Sequence, residues 1–175
     1  MNKIKEHFKN NVLIYLILFT CIIVLIVAKT ATGYDKYEPP TLDTSNMIVV
    51  DIEGAMEVFD KKTANMIVVG SYDCSATMDY EPYIHIVELA EGFKAYYLEL
   101  STLDTNSEAF KKFYDELDTF ETNVDGKHGT LKDFFGATPL TLFIKNGKIV
   151  YGYYGVMNEN TLDVFVKKYG VGADG

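Results

Sequence analysis

Arginine and tryptophan are absent from this chain of 175 residues, and cysteine occurs only twice, as Cys21 and Cys74. Two cysteines are too few for a zinc site of four thiolates or for a framework of disulfides. All 16 basic residues are lysines, against 25 acidic residues, and the net charge is −9. Phosphate binding needs clustered positive charge and favours arginine, so we expect no nucleic-acid partner. We also expect no metal ion and no cofactor.

Charged residues are missing from a long apolar run, residues 12–28. As a helix, these 17 residues reach about 26 Å at about 1.5 Å per residue, close to the thickness of a bilayer core. The run lacks the polar stripe of a buried helix in a soluble protein. We therefore predict a single transmembrane helix at residues 12–29, an uncleaved signal anchor, with Cys21 inside it. A cleaved signal peptide is the alternative, although the residues after the run form a poor cleavage site.

Lysines flank the apolar run unequally: three precede it and two follow it closely (Lys3, Lys5, Lys9, Lys29 and Lys36). By the positive-inside rule, residues 1–11 form a cytoplasmic tail and the C-terminal part of the chain is extracytoplasmic. Residues 30–45 include Pro39 and Pro40 and few apolar side chains, which predicts a linker. A folded domain is predicted at residues 46–171, with a short tail at 172–175. Residues 30–175 carry 24 acidic residues and 12 lysines, a net charge of −12.

The period of the hydrophobic pattern changes repeatedly after the linker. It predicts strands at residues 47–52, 66–70, 93–101, 140–145 and 148–154, helices at 53–62, 75–92, 107–120 and 158–169, and a polar loop at 121–129. Leu89 and Val164 are among the side chains predicted to face inward on the second and last helices. Helices between the first three strands imply right-handed parallel crossovers, and Asn146 with Gly147 predicts a closing antiparallel hairpin. The fold class is therefore α/β, with a mixed β-sheet flanked by helices.

Four features together resemble the thioredoxin superfamily over residues 46–171. They are the strand that ends just before Cys74, Pro82 in the following helix, the sequence Ala137, Thr138 and Pro139 before the hairpin, and the closing strand-turn-strand-helix unit. The resemblance implies a thioredoxin-like fold in which Cys74 is the attacking thiol. It also implies that Pro82 kinks the helix and that Pro139 is a cis-proline facing Cys74.

Within that superfamily, the chain resembles the membrane-anchored bacteriocin transport accessory proteins of Gram-positive bacteria. This resemblance implies a partner among exported thiol- or disulfide-containing peptides or proteins. It places substrate beside Tyr72, Asp73 and Thr138, where the backbone of Thr138 can pair with an extended peptide. A cysteine at a helix N-terminus also faces free N–H groups and the positive end of the helix dipole, which stabilise a thiolate.

The motif at Cys74 departs from the redox-active pattern of two cysteines separated by two residues. It reads Cys74, Ser75, Ala76, Thr77, so that threonine stands at the resolving position. A mixed disulfide formed here has no second thiol beside it to release it. Asp73 is also expected to oppose thiolate formation, because its negative charge adjoins the sulfur. Val68 falls at the strand position where many thioredoxins bury an acid.

Three roles for Cys74 remain open on the sequence alone. In the first, Cys74 acts as a monothiol and Thr77 donates a hydrogen bond to the thiolate. In the second, Cys74 holds a partner without turnover. In the third, it is an inert side chain that only packs as a small buried residue. Whether the protein is an enzyme is therefore undecided. The competing hypothesis is a non-catalytic binding module, in which the fold is a scaffold within a secretion or bacteriocin system.

Overall fold

The computed structural model describes residues 19–23 and 41–172. Residues 19–23 are helical and belong to a first compact unit, Met1–Pro39, whereas the folded domain belongs to a second unit, Pro40–Gly175. The rest of the predicted membrane span and tail, and most of the linker, lie outside the described residues. Within the described part, no helix has both the length and the apolar character needed to cross a membrane.

The second unit alternates strands and helices, as the sequence pattern predicts. It also contains 3₁₀ turns, at Leu100–Thr102 and at Leu131–Phe134. The elements in chain order are β1 (Ile48–Val50), α1 (Ile52–Phe59), β2 (Asn65–Gly70), α2 (Ser75–Glu91), β3 (Tyr96–Glu99), α3 (Glu108–Leu117), β4 (Glu121–Val124), β5 (Lys127–Thr130), β6 (Leu140–Lys145), β7 (Lys148–Tyr154) and α4 (Glu159–Tyr169).

A five-stranded sheet with the order β1-β3-β2-β6-β7 forms the centre of the unit. β3 pairs in parallel with β1 and β2, while β6 is antiparallel to both β2 and β7. Side chains alternate across β2: Met66 and Val68 join the core beneath α2 and α4, and Ile67 and Val69 join the core beneath α1 and α3. The predicted mixed sheet flanked by helices is confirmed.

Local signals set the helix ends. The side chains of Asp51, Ser107 and Asn158 accept hydrogen bonds from the first turns of α1, α3 and α4. Gly92 and Gly170 end α2 and α4 with φ of 71° and 76°, values that glycine adopts without strain. Asp51 also explains why β1 is shorter than predicted, since the chain turns into helix at Ile52.

Residues 121–129 form most of a hairpin, so the predicted polar loop is wrong. Asp125 and Gly126, with φ of 51° and 80°, make a two-residue turn between β4 and β5. Polar side chains on both strands leave no apolar alternation to reveal them. The hairpin leads to Leu131, which is buried against β7, where a Cβ on Gly152 would lie 2.4 Å from Leu131 Cδ1. This close contact anchors the segment that runs on to Pro139.

Two side chains predicted to face inward are exposed instead. Leu89 is 69% exposed and Val164 is 61% exposed. Each lies two positions from a buried residue of its helix, Val87 or Leu162, and two positions correspond to about 200° of rotation. The helices therefore present these two side chains to the side away from the sheet.

Candidate functional site

Cys74 is the N-cap residue of α2 and is partly exposed. Its carbonyl oxygen accepts a hydrogen bond from Met78 N at 3.0 Å, while its side chain caps no backbone group. The first turn of α2 has no acidic residue. The sulfur thus faces the positive end of a 17-residue helix without an anionic side chain in that turn.

The loop before β6 lies against this cysteine. The Thr138–Pro139 peptide bond is cis, and Cys74 Sγ lies 3.8 Å from the carbonyl oxygen of Thr138. Pro139 is buried, and its carbonyl oxygen accepts a hydrogen bond from Gly155 N at 2.8 Å. The fold therefore brings together Cys74, Thr138 and Pro139. Their chemical roles remain predictions.

The surroundings of the sulfur lower the pKa of the Cys74 thiol. Burial is the largest influence and raises the pKa, but the donors that the side chains of Thr138 and Thr77 and the backbone of Thr77 and Ala76 offer to the thiolate lower the pKa further than burial raises it. Only the protonated thiol can donate to the Thr138 carbonyl, so the thiolate depends on these other donors. The pKa of the thiol is therefore lowered overall, which increases the fraction of thiolate, the reactive form of the sulfur.

Thr77 lies one turn along α2 from Cys74 and is 1% exposed. Its methyl group packs near Gly70, where an added Cβ would come within 2.6 Å of Thr77 Cγ2. Thr77 Oγ1 is buried and has no hydrogen-bond partner among the described residues. The hydroxyl is therefore available to the thiolate, but it cannot resolve a disulfide.

Tyr72 and Asp73 precede the cysteine and make contacts within the domain. The N–H of Tyr72 donates to Glu99 Oε2 at 2.9 Å, and its ring lies 5.6 Å from the ring of Tyr97. Asp73 is exposed and accepts a hydrogen bond from Ser71 Oγ. Despite the charge of Asp73, the pKa of Cys74 is lowered, which is opposite to the direction expected from Asp73. Substrate contacts by Tyr72 and Asp73 remain predictions.

Two further residues near the site, Tyr97 and Glu99 of β3, are not among those predicted from the sequence. Glu99 is 2% exposed and accepts a hydrogen bond from the hydroxyl of Tyr97 at 2.8 Å. Val68 is fully buried, as an apolar residue at that position should be. The buried carboxyl group near Cys74 therefore comes from β3. An acid within an otherwise apolar strand was the signal available in the sequence.

Other polar groups lie apart from Cys74. His85 Nδ1 is 4.0 Å from Glu88 Oε2, and Lys132 bridges the exposed Asp115 and Asp118. Within residues 19–23 and 41–172, no three side chains of His, Cys, Asp or Glu are grouped so as to hold a metal ion. The acidic run on α3 thus forms ion pairs on a solvated face.

No protein-family model matches the chain, and no curated protein matches its sequence. Solved structures do match. A chain from a study of the thiol resolving mechanism in yeast mitochondrial 1-Cys peroxiredoxin via glutathione/thioredoxin systems is 10% identical with a TM-score of 0.50, over 71% of this chain and 96% of that chain. Thioredoxin from Fasciola hepatica is 16% identical with a TM-score of 0.49, over 70% and 99% of the two chains. Mitochondrial thioredoxin 3 from Saccharomyces cerevisiae is 10% identical with a TM-score of 0.48, over 71% and 96%.

At this level of identity the likeness concerns the fold. The described domain has a thioredoxin-like fold, as the resemblance in the sequence implies. The narrower resemblance to bacteriocin transport accessory proteins stays a prediction.

Proposed function

We propose that this protein is a monothiol thiol–disulfide exchange protein that forms mixed disulfides through Cys74. The observation that carries the proposal is the position of Cys74 Sγ at the N-terminus of α2, 3.8 Å from the Thr138 carbonyl oxygen. The lowered pKa of the thiol supports it, because the thiolate is the attacking species.

The reaction is an exchange of one disulfide bond for another. The Cys74 thiolate attacks one sulfur of a partner disulfide, a new bond forms between Cys74 and that sulfur, and the partner's own S–S bond breaks. The second partner sulfur leaves as a thiolate and takes a proton from water. No net oxidation occurs. An extended partner segment pairs with the backbone of Thr138, which holds its disulfide beside the sulfur.

Release of the partner requires another thiol. Thr77 occupies the resolving position, so a thiol from solution or from a second protein attacks the mixed disulfide and restores Cys74. The mixed disulfide is accordingly long-lived where such thiols are scarce. The same threonine favours the second candidate function, a scaffold that binds export partners through this surface without exchanging disulfides.

The proposed location is the outer face of a cell membrane. Residues 12–29 form the anchor, residues 1–11 are cytoplasmic, and the partner is an exported peptide or protein that contains thiols or disulfides. The apolar run and the excess of lysines before it support this arrangement. A maleimide that cannot cross membranes should label Cys74 in intact cells of a Cys21→Ser strain. Labelling only after lysis would reverse the proposed orientation.

The exchange reaction is tested with the full chain carrying Cys21→Ser, so that Cys74 is the only thiol. A peptide disulfide is added, and the mixed disulfide is measured by mass spectrometry. We expect one peptide per chain, formed faster near neutral pH than with a free cysteine, and no adduct with Cys74→Ser. Two results together would favour the scaffold function instead. The adduct would form no faster than with free cysteine, and the Cys74→Ser protein would still bind its partners in cells.

A further inference from the structure

Glu99 is a buried carboxyl group that the proposed exchange reaction does not use. It ends β3, where it is aligned with Gly70 at the end of β2. Oε2 accepts hydrogen bonds from Tyr72 N at 2.9 Å and Tyr97 Oη at 2.8 Å. Oε1 accepts from Ser101 N at 3.1 Å and Ser101 Oγ at 2.6 Å. Four donors suit an acceptor-only carboxylate and offset the cost of burying it.

One of these donors belongs to the loop that carries Cys74. Tyr72 is held at both of its backbone polar groups, since its N–H donates to Glu99 and its carbonyl oxygen accepts from Leu42 N at 3.1 Å. The next hydrogen bond along the loop joins Cys74 N to Ser71 O at 3.1 Å. Fixing Tyr72 therefore fixes the turn that sets the direction of the Cys74 side chain.

A second route from Glu99 reaches the first turn of α2, which follows the cysteine. Glu99 accepts the hydroxyl proton of Tyr97 in a hydrogen bond, and the Tyr97 ring packs beside Gly70 and the ring of Tyr72. A Cβ on Gly70 would lie 2.8 Å from Tyr97 Cε2 and 2.6 Å from Thr77 Cγ2. Tyr97 and Thr77 thus enclose Gly70 together, beneath the first turn of α2.

We infer that Glu99 is a positioning residue for Cys74: it holds Tyr72 before the sulfur and Tyr97 beneath it, so that the sulfur stays aligned with its hydrogen-bond donors. This role rests on the proposed function of Cys74. Glu99 touches neither the sulfur nor a substrate in this arrangement, and it acts through Tyr72 and Tyr97.

The direction in which the pKa of Cys74 changes when Glu99 is replaced distinguishes a positioning role from a purely electrostatic one. Asp73 immediately precedes Cys74, the Tyr97 ring packs beside Tyr72 and Gly70, and Glu99 accepts a hydrogen bond from the Tyr97 hydroxyl. Burial and the adjacent Glu99 raise the pKa of Tyr97, so Tyr97 stays protonated at neutral pH. If Glu99 acted on Cys74 by charge alone, removing its negative charge would lower the pKa of Cys74. If it acts by positioning, its loss misaligns the donors and raises that pKa.

The experiment measures the alkylation rate of Cys74 by iodoacetamide against pH, in the full chain with Cys21→Ser. Glu99→Gln should move the pH midpoint upward by about half a unit to one unit, which corresponds to a rate about three to ten times lower below the midpoint. Tyr97→Phe keeps the ring, removes one donor to Glu99 and should give a smaller shift in the same direction.

Glu88→Gln is the matched control. Glu88 is also 2% exposed and accepts a backbone hydrogen bond, from Ala95 N at 2.6 Å, but it lies about 21 Å along α2 from Cys74. It should change the midpoint of thermal unfolding and leave the alkylation midpoint where it is.

An unchanged or lowered alkylation midpoint in both Glu99→Gln and Tyr97→Phe would overturn the positioning role. If Glu99→Gln does not fold, Tyr97→Phe alone is the test: an upward shift of the alkylation midpoint supports the positioning role, and an unchanged or lowered midpoint overturns it. Failure of the proposed function has a different signature: Cys74 of the Cys21→Ser chain would then titrate like a free thiol before any further substitution.

Discussion

The backbone N–H of Leu42 donates a hydrogen bond to the carbonyl oxygen of Tyr72 at 3.1 Å. Leu42 precedes β1, and its side chain is 7% exposed within the core on the α2 side of the sheet. Tyr72 lies two residues before Cys74. The segment that enters the domain therefore supports the loop that leads to Cys74.

This contact predicts a difference between two substitutions at residue 42. Leu42→Ala keeps the N–H and should lower the free energy of unfolding by about 2–3 kcal/mol through lost burial, with little change in Cys74 alkylation. Leu42→Pro also removes the donor and should slow alkylation at pH 7. Thr41→Pro is the control for a proline in this segment. Equal alkylation rates in Leu42→Pro and Leu42→Ala would show that the hydrogen bond does not support the loop.

Thr77→Val should lower the reactivity of Cys74 without lowering the stability of the domain. Removing a buried hydroxyl that lacks a partner should leave stability unchanged or raise it by up to about 1 kcal/mol. Removing a donor to the thiolate should raise the pKa of Cys74, so that less thiolate is present at a pH below the midpoint and alkylation falls by about threefold. Denaturant unfolding and the pH profile of alkylation measure the two effects.

Thr141→Val is the control for Thr77→Val. Thr141 is also a buried threonine, but its hydroxyl donates to Tyr80 Oη at 3.1 Å. Losing that bond should lower stability by about 1 kcal/mol and leave the alkylation midpoint unchanged. A shift of the midpoint in Thr141→Val would mean that any loss of a buried hydroxyl disturbs the site.

Thr77→Cys should supply the missing resolving thiol. The introduced thiol lies one helical turn from Cys74 and should attack its mixed disulfide, releasing the partner peptide as a thiol and forming an internal disulfide. Release is followed by mass spectrometry. Ser75→Cys places a thiol on the exposed side of α2 and should release peptide much more slowly. Persistence of the mixed disulfide in Thr77→Cys would contradict the proposed geometry.

Charge is distributed unequally between the two ends of the sheet. Exposed acids follow each of the three parallel strands, namely Asp51, Asp73 and Asp104. Lysines lie at the opposite end, before β2 and β3 and at the β6–β7 turn (Lys61, Lys62, Lys94, Lys145 and Lys148). Cys74 therefore lies at the acidic end.

This asymmetry predicts a preference for cationic partners. At low salt, a peptide disulfide flanked by lysines should form the mixed disulfide about tenfold faster than one flanked by glutamates, and the ratio should fall as salt screens the charges. Asp73→Asn should reduce the ratio, whereas Lys94→Gln, at the other end of the sheet, should not. Equal rates for both peptides at low salt would show that charge does not determine partner preference.

Much of the fold follows from local signals in the sequence. The hairpin at Asn146 and Gly147 has the predicted boundaries, and α2 and α3 begin within one residue of the predicted helix starts. β4 and β5 were not predicted because most of their side chains are polar, and the turn at Asp125 is the only local signal for the hairpin. Leu89 and Val164 are exposed, contrary to prediction, because helical spacing alone does not show which face of a helix meets the sheet.

The candidate site was only partly predictable. The order of Cys74, Pro82 and Pro139 indicated that the fold would bring Cys74 to the Thr138–Pro139 segment. The contact between Tyr72 and Glu99 joins residues 27 positions apart, and no local pattern predicts such a pair.

The sequence by itself determined that this protein has two thiols, no cysteine at position 77, an apolar run before an acidic domain and an α/β order of elements. These properties depend on composition and on short-range spacing. Only the tertiary structure decided that the Thr138 carbonyl lies against Cys74, that Glu99 braces Tyr72 and that the net effect of the surroundings is to lower the pKa of the thiol. Hydrogen bonding and burial act over a few ångströms, so they are set by residues that the fold, and not the chain order, brings together.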